Sequence, residues 1–234
     1  MGHVVAGRRR DHVFFGAMAL AIAAAVVIGF QDSYFRAGLF FAHLPSLMVH
    51  IHGALFVGWV LLLVVQIALV GTGHTRWHRR LGILGTVMAP LMVMAATATL
   101  VMALQRNAVP RIPRPVFFAG DLLQLAVFAI FVAWALCKRS ELAAHKRLMM
   151  FATIAILAPA IDRWPFSFMA SIFATTAVLT VLPLALVAYD LIATHRVHWA
   201  TRWGVLLYAL MIASIFVLPA LQPWQEFTAW VIKS

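Results

Sequence analysis

The chain has little charge, almost no cysteine and none of the short motifs on which catalytic sites are commonly built. Only 11% of its 234 residues are charged, whereas soluble domains carry about 25%. A single cysteine, Cys137, excludes an internal disulfide and any cysteine-based zinc or iron–sulfur site. No phosphate loop, nucleotide fingerprint, HExxH, CxxCH or GxSxG sequence is present. We therefore expect neither ATP-driven nor hydrolytic chemistry, and we predict no catalytic residue.

What the chain does contain is long apolar runs, because 64% of its residues are hydrophobic. A helix needs about 20 apolar residues to cross the ~30 Å hydrocarbon core, where its backbone groups must pair internally. The sequence thus predicts an all-α, polytopic transmembrane helix bundle that forms one integral membrane domain over residues 1–234. Seven spans are expected, with six as the alternative because the fifth is short: 13–30, 45–71, 81–104, 116–137, 148–163, 166–189 and 203–221.

The net charge of +11 is distributed in short clusters between the apolar runs, which indicates membrane orientation rather than binding to nucleic acid. With seven spans, 12 of the 18 basic residues fall on the side of the N-terminus: Arg8, Arg9, Arg10, Arg76, Arg79, Arg80, Lys138, Arg139, Lys146, Arg147, Arg196 and Arg202. The positive-inside rule then places the N-terminus in the cytoplasm and the C-terminus outside. We expect a multi-pass protein of the bacterial cytoplasmic (inner) membrane, with membrane lipids as partners.

Basic, histidine-bearing connections recur along the chain as "HTRWHRRLG", "AHKRLM" and "HRVHW". Their histidines are His78, His145 and His198. Neutral imidazole is a common ligand of zinc, copper and iron, so one interpretation is a site for a divalent metal or haem b at the cytoplasmic rim. The alternatives are lipid-facing side chains at the level of the headgroups and a proton-uptake rim.

A second polar group should lie inside the membrane, in its outer part. His52, Trp59 and Gln66 follow one another at seven-residue steps, which places them on one stripe of a helix. Ionisable groups within a membrane cost on the order of 2.5–3.5 kcal/mol each unless they are paired or hydrated. We therefore expect Arg163 to pair with Asp121 and His52 to reach a carboxylate. The candidate ligand-binding residues are His52, Trp59, Gln66, Asp121, Gln124, Asp162 and Arg163.

Residues 45–205 resemble a group of uncharacterised bacterial multi-spanning membrane proteins with recurring His-Arg-Arg-Leu-Gly and His-Lys-Arg-Leu-Met motifs. The matching positions are His52, Gly53, Trp59, Gln66, His78, Arg79, Arg80, His145, Arg147, Arg163, Asp190 and His198. This group implies no particular activity. The chain is also distantly similar to small membrane proteins linked to cytochrome oxidase assembly, a resemblance that implies a haem- or copper-related role.

Three functions are consistent with these observations. The first is a membrane protein with a buried ligand- or proton-binding site in its outer half, where His52 exchanges a proton, Arg163 holds an anionic group and Asp121 neutralises Arg163. The second is a redox or oxidase-associated protein that binds haem b or a metal. The third is a non-catalytic accessory subunit of a larger membrane complex, or a homo-oligomer.

Overall fold

The computed structural model describes residues 2–36, 46–109 and 112–233, and within these ranges it contains helices and no strands. The helices are α1 Gly2–Phe30, α2 Leu47–Gly71, α3 Thr75–Gln105, α4 Arg114–Cys137, α5 Leu142–Ala155, α6 Ala158–Ile161, α7 Ile172–Thr194, α8 Trp199–Val217 and α9 Gln222–Lys233. Six of them, α1 to α4, α7 and α8, are long and apolar enough to cross a membrane. The predicted all-α polytopic bundle is therefore confirmed.

The short fifth segment is a broken helix that runs the depth of the bundle. Lys146, near the start of α5, pairs with Asp11 in α1. At the other end of the segment, Ala160 packs so closely on Gly29 of α1 that a Cβ on this glycine would clash with the alanine backbone. Seven segments of the described chain thus traverse the bundle. Six are long enough to be membrane spans, and the short fifth segment is not.

Burial and one proline explain why this segment is short and broken. Pro159 lacks the N–H that would continue the ladder of α5, so the helix ends at Ala155 and a new turn begins at Ala158. Leu148 and Phe151 are fully buried, and α8 approaches so closely that a Cβ on Gly204 would clash with the Phe151 ring. The segment is therefore shielded by its neighbours, and it does not need the lipid-facing surface of an independent span.

We call the end of the bundle that carries Asp11 and the connections at 72–74, 138–141 and 195–198 the basic end, and the opposite end the far end. The histidine and arginine motifs at the basic end lie within helices, because α3 begins at Thr75 and α5 at Leu142. The sequence had suggested that both helices begin several residues later. His198 is the N-cap of α8.

The amphipathic helix α9 was not anticipated from the sequence. It packs across the far ends of α3 and α4, where the Trp224 indole donates to the carbonyl of Pro115 at 2.9 Å and the Gln105 amide donates to the carbonyl of Val231 at 3.3 Å. Its other face leaves Phe227 and Trp230 42% and 63% exposed. With the aromatic residues of α9 placed there, the far ends of α3 and α4 have the character of a membrane interface.

Candidate functional site

The most deeply buried charges of the described chain lie near the basic end. Arg147 of α5 is 3% exposed and Asp190 of α7 is fully buried. The guanidinium donates from Nε to Asp190 Oδ1 at 3.0 Å, donates again from Nη2 to the same oxygen, and uses Nη1 for the carbonyl of Ala143 at 2.8 Å. The second Asp190 oxygen accepts from the Thr201 hydroxyl at 2.5 Å and from the backbone N–H of His198 at 2.9 Å.

A second ion pair adjoins the first and connects it to α1. Lys146 donates to one oxygen of Asp11, and the phenol of Tyr189 donates to the other. The Lys146 ammonium also lies 4.6 Å from the centroid of the Phe15 ring. Helices α1, α5, α7 and α8 are thus joined by two acid–base pairs with hydrogen-bonded carboxylates, an arrangement that supports the fold and leaves no free acceptor on Asp190.

Sequence reasoning missed this double ion pair. It assigned Arg147 and Lys146 to membrane orientation and gave Asp190 no ion-pair partner. The available signal was the position of Asp190 directly after an apolar run without other charges, because a carboxylate within a membrane needs a cationic partner. Which cation it contacts could not be read from the sequence, since the partner lies 43 residues away.

Two of the three histidines of the predicted metal site make hydrogen bonds to the backbone. In the described ranges, no three or more His, Cys, Asp or Glu side chains are grouped so that they could hold a metal ion. His145 donates from Nδ1 to the carbonyl of Ala135 at 2.8 Å, and His198 accepts the N–H of Ala200 at 3.1 Å as the N-cap of α8. The Nδ1 atom of His78 is buried without a partner. The described residues therefore do not show a metal site formed by these three histidines.

The polar group predicted for the outer membrane half lies at the far end and differs in character. Arg163 does not form the expected direct pair with Asp121. Its Nη1 donates to the carbonyl of Pro159 at 2.5 Å, and its guanidinium lies 5.0 Å from the Phe30 ring centroid. The Arg163 charge nevertheless acts through space on both Asp121 and His52, so these side chains from three segments share one electrostatic environment.

Several polar atoms of this group are unsatisfied. The Nδ1 atom of His52 and the Oε1 atom of Gln124 are buried and have no hydrogen-bond partner. Asp121 makes no hydrogen bond or ion pair with any described residue. Buried polar atoms are nearly always paired in native proteins, so each exception needs an explanation. Arg163 is exposed, so this member of the group is accessible at the far end.

The remaining predicted residues are held by the fold or lie elsewhere. Asp162 accepts a hydrogen bond from the Thr175 hydroxyl. Trp59 is 3% exposed and donates to Thr153 Oγ1 at 3.1 Å, so it connects α2 to α5. Gln66 lies 14 residues after His52, about 21 Å along the helix, and its Oε1 atom is buried without a partner. The stripe on α2 therefore extends through the bundle, and only His52 belongs to the far-end group.

Comparison with known proteins identifies no relative: no protein-family model matches the chain, and neither a curated protein nor a solved structure is similar to it. We name the far-end group of His52, Asp121, Gln124 and Arg163 the far-end cluster, and the group of Asp11, Lys146, Arg147, Tyr189 and Asp190 the basic-end network.

Proposed function

We propose that this chain is an integral membrane protein that binds a small anionic ligand together with a proton in the far-end cluster. The observation that carries the proposal is the pair of buried, unpartnered polar atoms on α2 and α4, His52 Nδ1 and Gln124 Oε1. A fold that leaves them unpaired bears a desolvation cost of about 1–3 kcal/mol for each. A bound ligand that hydrogen-bonds to them removes that cost.

The charges of the cluster indicate the class of ligand. Arg163 supplies a guanidinium, whose fork of donors suits carboxylate or phosphate oxygens. Asp121 has no pairing partner among the described residues and can offset the Arg163 charge when the ligand is absent. His52 is the histidine of the cluster, a side chain that commonly exchanges protons in proteins. The ligand therefore reaches the cluster from the far end and meets Arg163 first.

Thermal unfolding of the purified full-length protein in mild detergent tests this proposal. Acetate, bicarbonate and inorganic phosphate serve as probes at pH 6 and pH 8. We expect at least one of these anions to raise the Tm of the wild type by mass action. The rise should be larger at pH 6 than at pH 8, because the anion binds together with a proton. Arg163→Gln should abolish this rise, and His52→Gln should abolish its dependence on pH.

Arg114→Gln is the matched control, because it removes one positive charge at the same end, and the Arg114 guanidinium already donates to Asn107 at 3.2 Å. Its response to the anions should equal that of the wild type. If Arg163→Gln and Arg114→Gln respond alike, or if no probe changes the Tm at either pH, the proposed binding site is wrong.

The haem or metal alternative is supported by the geometry of one side chain. His145 donates its Nδ1 proton to a backbone carbonyl, which leaves Nε2 as the free nitrogen, as in many metal-binding histidines. His78 lies near enough for the two rings to interact electrostatically. An absorption spectrum of the purified protein decides this alternative: a Soret band, before or after addition of haem, that is lost in His145→Ala supports it, and the absence of a band rejects haem.

A further inference from the structure

A cavity of about 120 Å³ lies at the far end between α2 and α3, separate from the far-end cluster. The start of α2 and the end of α3 form its walls, and most of its lining is apolar. Its lining includes Ser46, Met48, Val49, Met102, Ala103 and Arg106. Its volume is close to the ~150 Å³ of an apolar cavity that takes up benzene and well below the 300 Å³ at which drug-sized sites begin. The cavity is therefore large enough for a short stretch of hydrocarbon but too small for a drug-sized ligand.

A positive charge stands at the mouth of this cavity. Arg106 is exposed, and its side chain makes no hydrogen bond or ion pair with any residue in the described part of the chain. The other far-end arginines that the structure describes are engaged: Arg163 with a carbonyl, Arg114 with Asn107, and Arg36 with Asp32. Arg106 thus combines an uncommitted guanidinium with an adjoining apolar groove.

The position of α9 gives the depth of this arginine in the membrane. Gln105, the residue before Arg106, donates to the backbone of α9. Trp230 and Phe227 of that helix are exposed and stack with ring centroids 6.0 Å apart. Exposed aromatic side chains of membrane proteins concentrate at the level of the lipid headgroups. Arg106 therefore lies where lipid phosphates lie, and the groove below it points into the acyl region.

We propose that the groove between α2 and α3 holds one anionic phospholipid of the far-side leaflet. The lipid phosphate accepts hydrogen bonds from the Arg106 guanidinium, and part of one acyl chain fills the space between Met48 and Met102. This lipid differs from the bulk membrane lipids because Arg106 binds its phosphate while the groove binds its acyl chain. The proposal is independent of ligand binding in the far-end cluster.

Native mass spectrometry of the full-length protein in detergent, titrated with phosphatidylglycerol or phosphatidylcholine, tests this site. We expect the wild type to retain phosphatidylglycerol preferentially. Arg106→Gln should weaken that retention about tenfold, since a charge-assisted contact is lost. Ala103→Phe should weaken it similarly by filling the groove without a change of charge. Neither variant should alter phosphatidylcholine binding elsewhere on the protein.

Arg114→Gln again provides the control, with the same charge change at the same end but outside the groove. It should retain phosphatidylglycerol as the wild type does. Equal losses in Arg106→Gln and Arg114→Gln would overturn the proposal in favour of diffuse attraction. Displacement of the lipid by millimolar inorganic phosphate would also overturn it, because that result would identify a site for free anions. Arg106→Gln removes no contact within the described chain, so its melting temperature should stay unchanged.

Discussion

Two polar groups of this bundle, the basic-end network and the far-end cluster, differ in how their buried atoms are paired. In the basic-end network, Asp190 is fully buried and accepts hydrogen bonds from Arg147, Thr201 and the backbone of His198. In the far-end cluster, Asp121 has no partner among the described residues, and polar atoms of neighbouring side chains are buried and unpaired. A satisfied network stabilises a fold, whereas an unsatisfied one is available to a ligand.

This contrast explains why burial of charge alone is a poor guide to function. Both ends contain acidic and basic side chains inside a hydrophobic bundle. The far end was predicted as the site because its ionisable groups lie within apolar helices, and the same is true of the basic end. The hydrogen-bond partners distinguish them. Removal of a side chain should therefore be costly in the basic-end network and nearly neutral, or even stabilising, where it removes an unpaired atom of the far-end cluster.

The largest effect should come from breaking the basic-end network. Asp190→Ala leaves the Arg147 charge buried without its partner, and loss of one member of a buried ion pair costs about 3–5 kcal/mol. Unfolding by sodium dodecyl sulfate in mixed micelles measures this loss. Glu141→Ala is the control, because it breaks the exposed pair with Lys138, which should be worth no more than about 1 kcal/mol. Equal losses in the two variants would refute the structural role of the network.

An intermediate effect of opposite sign is expected at the far end. Gln124→Met removes an unpaired buried Oε1 atom, together with a hydrogen bond from Nε2 to the carbonyl of Gly120 within the same helix. The unpaired atom should outweigh this local contact, so we expect the protein to gain up to about 1 kcal/mol of stability while its response to the anion probes weakens. The same change at Gln105 removes the contact with the Val231 carbonyl and should reduce stability. A loss of stability in both variants would mean that Gln124 is satisfied in the free protein and would remove the contrast between the two ends.

The smallest effect should be a pH dependence at the basic end. Burial lowers the pKa of His198 from its ordinary value of 6.5, and the positive charge of Arg147 lowers it further. The neutral imidazole accepts the N–H of Ala200, so this stabilisation is complete above about pH 6.5 and decreases as the pH falls through the lowered pKa.

Comparison with His198→Ser isolates this contribution from the other histidines. Serine retains an N-cap acceptor but does not titrate. Between pH 8 and pH 5, the free energy of unfolding should decrease less in the variant than in the wild type. The difference should be no more than about 1 kcal/mol. An identical pH dependence of the two proteins would show that His198 does not titrate in the folded state.

The spans could be read from the sequence because the length and uniformity of an apolar run reflect the thickness of the membrane. The amphipathic helix α9 was not predicted, because its 12 residues are apolar on one face only and do not form a continuous apolar run. The break at Pro159 was also not anticipated, although proline in the predicted fifth span was its visible signal.

For the candidate site, the sequence placed His52, Asp121 and Arg163 at similar depth, but no hydrogen bond or ion pair joins them in the structure. Their pairing could not be deduced, because it depends on side-chain directions set by packing. The Arg163 guanidinium found a local carbonyl and the Phe30 ring instead of a carboxylate.

The link between Arg147 and Asp190 also constrains how the protein is made. Arg147 leaves the ribosome 43 residues before its partner, on a helix of only 14 residues. Insertion of an unpaired arginine costs on the order of 2.5–3.5 kcal/mol, so α5 has little tendency to enter the bilayer by itself during synthesis. Its insertion should await α7 and the aspartate that α7 carries, and the bundle then closes around a segment that arrives late.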